Sequence, residues 1–330
     1  MTNLPLAMFL SKLSNLEEEA GSVFYTSPGN LPRGDLFPAR FASTPHENLN
    51  KRAISMPGCG ILSVSGLDKE GLQTIDSYLS EFPEELKFGQ AAEDYRQSWS
   101  QQTRPGLLSM FAGQLCYQSF REDARTTTDE LSAYLQHVIS SKPPHGALFE
   151  HVYVSMLVYG LPRSISHEIV RHRAGWGFSQ VSTRYIPPRN LRFCVRREIE
   201  QNPHAWEVWC NDASTAADRY TTLMATLDES ISVDLPKTDK LKQLRQASRD
   251  ILPHYVETAM VLTGNMRAWR NLLDHRANPL ADTSFSELAF RCFLLLLSKA
   301  PHFLADYQPV LTKDVFGIWR AGVKTDNPKV

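Results

Sequence analysis

The run His167-Glu168-Ile169-Val170-Arg171-His172-Arg173 puts a carboxylate, two guanidiniums and two imidazoles side by side. On a helix, Glu168 and Arg171 are three apart and Glu168 and His172 four apart, so the three share a face, while Ile169 and Val170 turn toward a core. Arg171, His172 and Arg173 then crowd the helix end, just before the loop Ala174-Gly175-Trp176-Gly177. Donors gathered in this way suit a phosphate or an electron-rich ring. A plainer reading fits the same spacing, in which cations at a helix C-terminus only complement its dipole. A few residues on, Ser182-Thr183-Arg184 offers hydroxyl, backbone N–H and guanidinium donors, which could cradle a nucleotide phosphate or simply lead a loop into a strand.

These residues need a frame. His151 to Tyr159 is rich in Val, Tyr and Leu and reads as a strand ending at Gly160. Pro162 stands where the first turn of a helix tolerates it, and that helix is expected to run to about Arg173. Further helices are expected over Lys69–Leu79, Leu107–Gln118, Asp129–Ser140, Ala205–Leu227, Thr238–Leu252, Val256–Leu273 and Ser286–Lys299. Thr126-Thr127-Thr128 and Thr238 are the expected N-caps of two of them. Strands are expected near 59–65, 151–159 and 190–196. Residues 1–50, rich in Ser, Pro, Gly and Asn, read as irregular structure. The fold class is therefore α+β, mainly helical with a small central sheet. Residues 1–106 form an expected extension packed on the core, and 107–330 the catalytic domain.

Composition narrows the function. The 330 residues are 42% hydrophobic and 22% charged, with a formal net charge of -1. That suits a globular protein and argues against a nucleic-acid or membrane-surface binder, both of which need a sustained basic face. The apolar run Phe293–Leu297 falls well short of the ~18 residues of a membrane span. No secretion signal is recognised at the N-terminus. The odd count of five cysteines, with no C-x-x-C pair, argues against a disulfide frame or a metal cage and points to the cytoplasm.

The segment from Arg171 resembles the signature of the flavin-dependent thymidylate synthases, the ThyX family: R-H-R, seven residues, S, then R-Y. Here Arg171-His172-Arg173 is followed by eight residues, then Ser182 and Arg184-Tyr185. Five further stretches resemble family elements in order: Phe111–Ser119, His145–His151, the Arg163–Arg173 helix, Gln246–Thr258 and Thr263–Arg270. The resemblance implies a homotetramer with active sites where subunits meet. It also implies FAD as cofactor, with NADPH and methylenetetrahydrofolate as co-substrates and a uridine monophosphate as methyl acceptor. By position it makes His145, Glu150, Arg171, His172, Arg173, Ala174, His275, Arg276, Ala277 and Ala281 flavin contacts. Glu168, Arg171, Gln180, Val181, Ser182, Thr183, Arg184 and Ser286 fall to the nucleotide. Catalysis falls to Arg171, Ser182 and Arg184. Glu150, next to a strand start, could equally be a buried structural carboxylate.

The chain departs from the pattern at two arginines that the family places on the nucleotide, which fall at Ala259 and Ser286 here. Arg291, five positions along the same helix as Ser286, lies on another face. The departures, with the inserted loop residue, point to a branch that accepts UMP besides or in place of dUMP, of the sort that serves nucleoside-antibiotic pathways. The alternatives are a dUMP-only enzyme, an inactive flavin- or nucleotide-binding homologue, and a helical interaction protein with chance matches.

Overall fold

A computed structural model describes residues 4–44, 46–47, 49, 52–82, 89–101, 103–120, 128–141, 144–187, 191–231 and 233–327. The central sheet joins β1 (Leu36–Phe37), β4 (Gly58–Val64), β5 (Tyr153–Pro162), β8 (Glu257–Asn265) and β6 (Trp176–Gln180) in that spatial order, each pair antiparallel. A smaller sheet orders β2 (Arg40–Phe41), β3 (Ala53–Met56) and β7 (Phe193–Cys194), and β9 (Gln308–Lys313) pairs with β10 (Trp319–Lys324).

Alternation drives β5: Val154, Met156 and Val158 point inward and are fully buried. The strand does not stop at Gly160 as expected. Gly160 takes φ +67 at a shift of register between Tyr159 and Leu161, and the strand runs on to Pro162. The bulge turns the chain directly into α6 (Arg163–Ile169).

A core under the sheet is built on α11 (Thr283–Lys299), whose residues from Phe285 to Leu297 are all buried. Around it stand α10 (Met266–Arg276), α5 (Thr128–Ser140), α4 (Arg104–Tyr117), α3 (Gly89–Ser98) and α2 (Lys69–Ser80). A second cluster forms where α8 (Pro203–Glu229) lays Trp206, Trp209 and Tyr220 against Phe193 and Val256. The short α7 (Arg197–Glu200) leads into it, and α9 (Lys237–Ser248) packs alongside.

Residues 256–273 are not one helix: Glu257–Asn265 form β8, with Thr258, Met260, Leu262 and Gly264 inward, and only Met266 onward is helical. The β-branched Val256, Thr258, Val261 and Thr263 fit a pleated strand better than a helix. The N-terminal stretch is not wholly irregular, because Leu4–Glu19 form α1. Leu6, Phe9, Leu10 and Leu13 recur at helical spacing, and Phe9 packs 4.9 Å from Phe293 of α11. Glu17, buried near the end of α1, accepts from the backbone N–H of Phe24, Tyr25 and Thr26 and so anchors the following loop. Thr238 lies inside α9, whose N-cap is Pro236. The capping expected of Thr126 and Thr127 lies outside the described residues. No described helix is long and apolar enough to cross a membrane.

Candidate active site

The helix from Arg163 ends at Ile169, earlier than its spacing suggested, with Val170 as C-cap. Arg171, His172 and Arg173 therefore sit on a turn beyond it, freed from one helical face. They open onto a cleft of about 740 Å³ where three strand ends converge: the start of β5 (Tyr153), the start of β6 (Trp176) and the end of β8 (Asn265). Glu150, Ala174, Gly175, Arg267, Ala268, Asn271 and His275 complete the wall.

Local chemistry fixes that wall. Asn265 N-caps α10, its side-chain oxygen accepting from the Ala268 N–H at 2.8 Å, while its own N–H donates to the Gly175 carbonyl at 3.2 Å. Gly175 has φ +76, and a Cβ there would stand 2.7 Å from Asn265 Nδ2, so only glycine fits. The first turn of α10 borders the cleft, with the Met266 N–H donating to the Val152 carbonyl at 2.8 Å and Arg267 projecting from it. Arg267 donates to Glu150 at 2.6 Å. Glu150 is not a buried structural carboxylate: it lies on the 3-10 turn Gly146–His151 with its side chain 49% exposed.

Behind the rim, Arg276 donates to Glu168 at 2.7 Å, approaches His172 Nε2 at 3.4 Å and lies 4.9 Å over the Phe285 ring. Burial, then the charges of Arg276, His275 and Arg171, hold the His172 pKa below the usual imidazole value, outweighing a bond to Asn271. His172 is thus a neutral imidazole among cations.

A second hollow, of about 270 Å³, lies beyond α6 and is lined by Arg163, Thr183, Arg249, Asp250, Leu252, Pro253, His254 and Val256. Arg249 donates to the Thr183 hydroxyl at 3.4 Å, and Arg163 to the Val181 carbonyl at 3.5 Å. Burial, then the neighbouring charge of Arg249, lowers the Arg163 pKa. Arg245 donates to the Tyr185 carbonyl at 3.2 Å and so ties α9 to the same turn.

The structure brings Glu150, Arg171, His172, Arg173, Ala174 and His275 into one cleft and places Glu168 and Arg276 behind it. Thr183 goes to the hollow. Val181, Ser182 and Arg184 lie on the turn between, where Ser182 Oγ accepts from the Arg184 N–H at 3.4 Å. Gln180 ends β6. Four residues fall elsewhere. His145 caps the 3-10 turn with its ring 6.3 Å from that of Tyr117. Ala277 is fully buried, and its carbonyl accepts from the Val323 N–H. Ala281 is half-buried beyond α10. Ser286 is 3% exposed inside α11. Arg291 is likewise internal, paired with Glu287 at 3.0 Å and donating to the Pro57 carbonyl.

Tyr153, Trp176, Asn265, Arg267 and Asn271 also line the cleft, and Arg163 and Arg249 the hollow, although neither type nor spacing marks them as site residues. Asn265, next to Gly264 at the head of a helix, carried a legible N-cap signal; Arg249 carried none.

The flavin-dependent thymidylate synthase of Mycolicibacterium vanbaalenii is 35% identical over 218 residues, 66% of this chain and 85% of that protein. Its namesakes from Mycolicibacterium gilvum and Corynebacterium diphtheriae are 37% and 35% identical over 214 and 208 residues. These cover 64% and 63% of this chain and 83% and 81% of theirs. Among solved structures, the UMP/dUMP methylase PolB from Streptomyces cacaoi bound with 5-Br dUMP shares the fold. Its TM-score is 0.50 at 15% identity, covering 76% of this chain and 94% of that one. Residues 100–302 match the family model Thy1, Thymidylate synthase complementing protein. The chain belongs to that family, the flavin-dependent thymidylate synthases, and is a methyltransferase of that kind.

Proposed function

We propose that the chain methylates carbon 5 of a uridine monophosphate, UMP or dUMP, with FAD in the larger cleft and the nucleotide phosphate in the smaller hollow. The single observation that carries this reading is the adjacency of the two cavities across one short segment. Arg171–Gly175 line the first, Thr183 lines the second, and β6 joins them.

The residues present fit a flavin dinucleotide. The cleft encloses about 740 Å³ and is lined by the cationic side chains of Arg171, Arg173 and Arg267, which suit an anionic pyrophosphate. When bound, FAD would supply the hydride that completes the methyl group, with NADPH as reductant and methylenetetrahydrofolate as carbon donor. The chain's own residues position and polarise. Arg171 and Arg173 hold anionic or electron-rich groups, and neutral His172 can hydrogen-bond without adding charge. Glu168, oriented by Arg276, offers a fixed acceptor. Arg163 and Arg249 bracket a phosphate, so Arg249 and Arg276 supply guanidiniums where Ala259 and Ser286 do not. The site is proposed to be completed between subunits of a homotetramer.

The test is direct. Purified chain is titrated with FAD and followed by its visible spectrum, then given NADPH, methylenetetrahydrofolate and either UMP or dUMP. Formation of a 5-methyl product, read by mass spectrometry, is expected. FAD binding with no product from either nucleotide would leave an inactive homologue, and product from dUMP alone would limit the enzyme to the deoxy substrate.

A further inference from the structure

Gln180 closes β6 between the two cavities, and its amide is not free to choose its orientation. Its Nε2 donates to Ser166 Oγ at 2.8 Å and to Thr258 Oγ1 at 3.2 Å. Ser166 is 4% exposed and Thr258 2% exposed, whereas Gln180 is exposed. The two amide hydrogens thus meet two buried acceptors. Ser166 cannot readily reverse its part, because its own O–H donates to the Arg163 carbonyl at 2.8 Å. Turning the amide over would place Oε1 against Ser166 and force that hydroxyl to abandon its bond in the first turn of α6. Gln180 therefore keeps its NH₂ inward and presents Oε1, a pure acceptor, outward. The neighbouring Val181 carbonyl accepts from Arg163, which ties this end of β6 to the phosphate hollow.

We infer that Ser166 and Thr258 are positioning residues: they lock Gln180 as a hydrogen-bond acceptor for a donor group of the bound uridylate, either the ring N3–H or a sugar hydroxyl. This rests on the reading of the hollow as the nucleotide site. An acceptor held in place discriminates more sharply than a free amide. A ligand lacking the matching hydrogen leaves Oε1 unpaired, and the amide cannot turn to compensate. A cytosine-type ring, whose N3 carries no hydrogen, is disfavoured for the same reason if N3–H is the donor.

The experiment measures nucleotide affinity by calorimetry on the FAD-loaded chain, comparing wild type with Ser166→Ala/Thr258→Val. The probes are UMP, 3-methyl-UMP, which lacks the ring hydrogen, and 2′,3′-dideoxy-UMP, which lacks the sugar hydroxyls. The double variant is expected to bind UMP about tenfold more weakly, with FAD affinity unchanged. The loss should vanish with one of the two analogues, which names the donor. Should the double variant fold poorly, the single variants carry the same test at about threefold each. Unchanged UMP affinity overturns the proposal, as does an equal loss for all three probes, which would mark a structural role. A wild-type chain that binds FAD but no uridylate sinks the nucleotide reading itself, and the proposal with it.

Discussion

Arg163 and Arg249 repel one another across the smaller hollow, and a phosphate bound between them would relieve that repulsion. A charge-assisted bond of this kind contributes about 1.5–3 kcal/mol. Arg249→Ala is therefore expected to raise the KM for the uridylate about 10- to 100-fold with a smaller change in kcat, in steady-state assays with varied nucleotide. An unchanged KM would place the phosphate elsewhere. Arg249 also shows where reading by residue type stops. Nothing in Ser248-Arg249-Asp250 marks a ligand contact, and only the packing of the chain past α9 beside α6 brings it to Thr183. By contrast Arg171, His172 and Arg173 could be picked out at once, because a cluster of donors next to a glycine-bearing loop is unusual chemistry wherever it falls.

Helices and strands were legible where pattern and tertiary setting agree. The strand at β5 and the helices at α2 and α5 follow from their apolar spacing, with Leu72, Ile75 and Leu79 buried on one and Leu131, Leu135 and Val138 on the other. The region of β8 misleads because Val256, Met260 and Leu262 can be fitted to a helical stripe, while the alternation that decides the matter appears only once β5 and β6 pair with it on either side. The N-terminal segment misleads in the other direction. Its Pro- and Gly-rich middle hides α1, whose Leu13 is fully buried in the main core. Leu13→Ala should cost about 2–5 kcal/mol in urea unfolding monitored by circular dichroism. A loss under about 0.5 kcal/mol would mean that α1 packs only loosely and contributes little to the fold.

Stability of the whole molecule carries a pH signature from His302, which is 3% exposed. Burial pushes its pKa down to about 4, with Ser132 Oγ 2.8 Å from Nδ1. The unfolded chain titrates this group near 6.5, so between about pH 6.5 and 4 it binds the proton that the folded chain refuses. Stability is therefore full above pH 6.5 and falls as the pH drops toward 4, by about 3 kcal/mol from this group. Chemical denaturation at pH 7.5 and 5 should show the decline, and His302→Phe should flatten it. An equal slope in the variant would assign the effect to other groups.

At the same scale, residues before 100 lie outside the family match yet supply β1 and β4 to the central sheet and α1 to its core, so the site rests on a frame wider than the matched segment. The turn after α6 is proposed to grip the flavin. Fluorescence titration of FAD against Arg171→Ala/Arg173→Ala measures that grip. FAD affinity is expected to fall at least tenfold while the far-ultraviolet circular dichroism stays that of the unmutated chain. An unaltered dissociation constant in a folded double variant would contradict it.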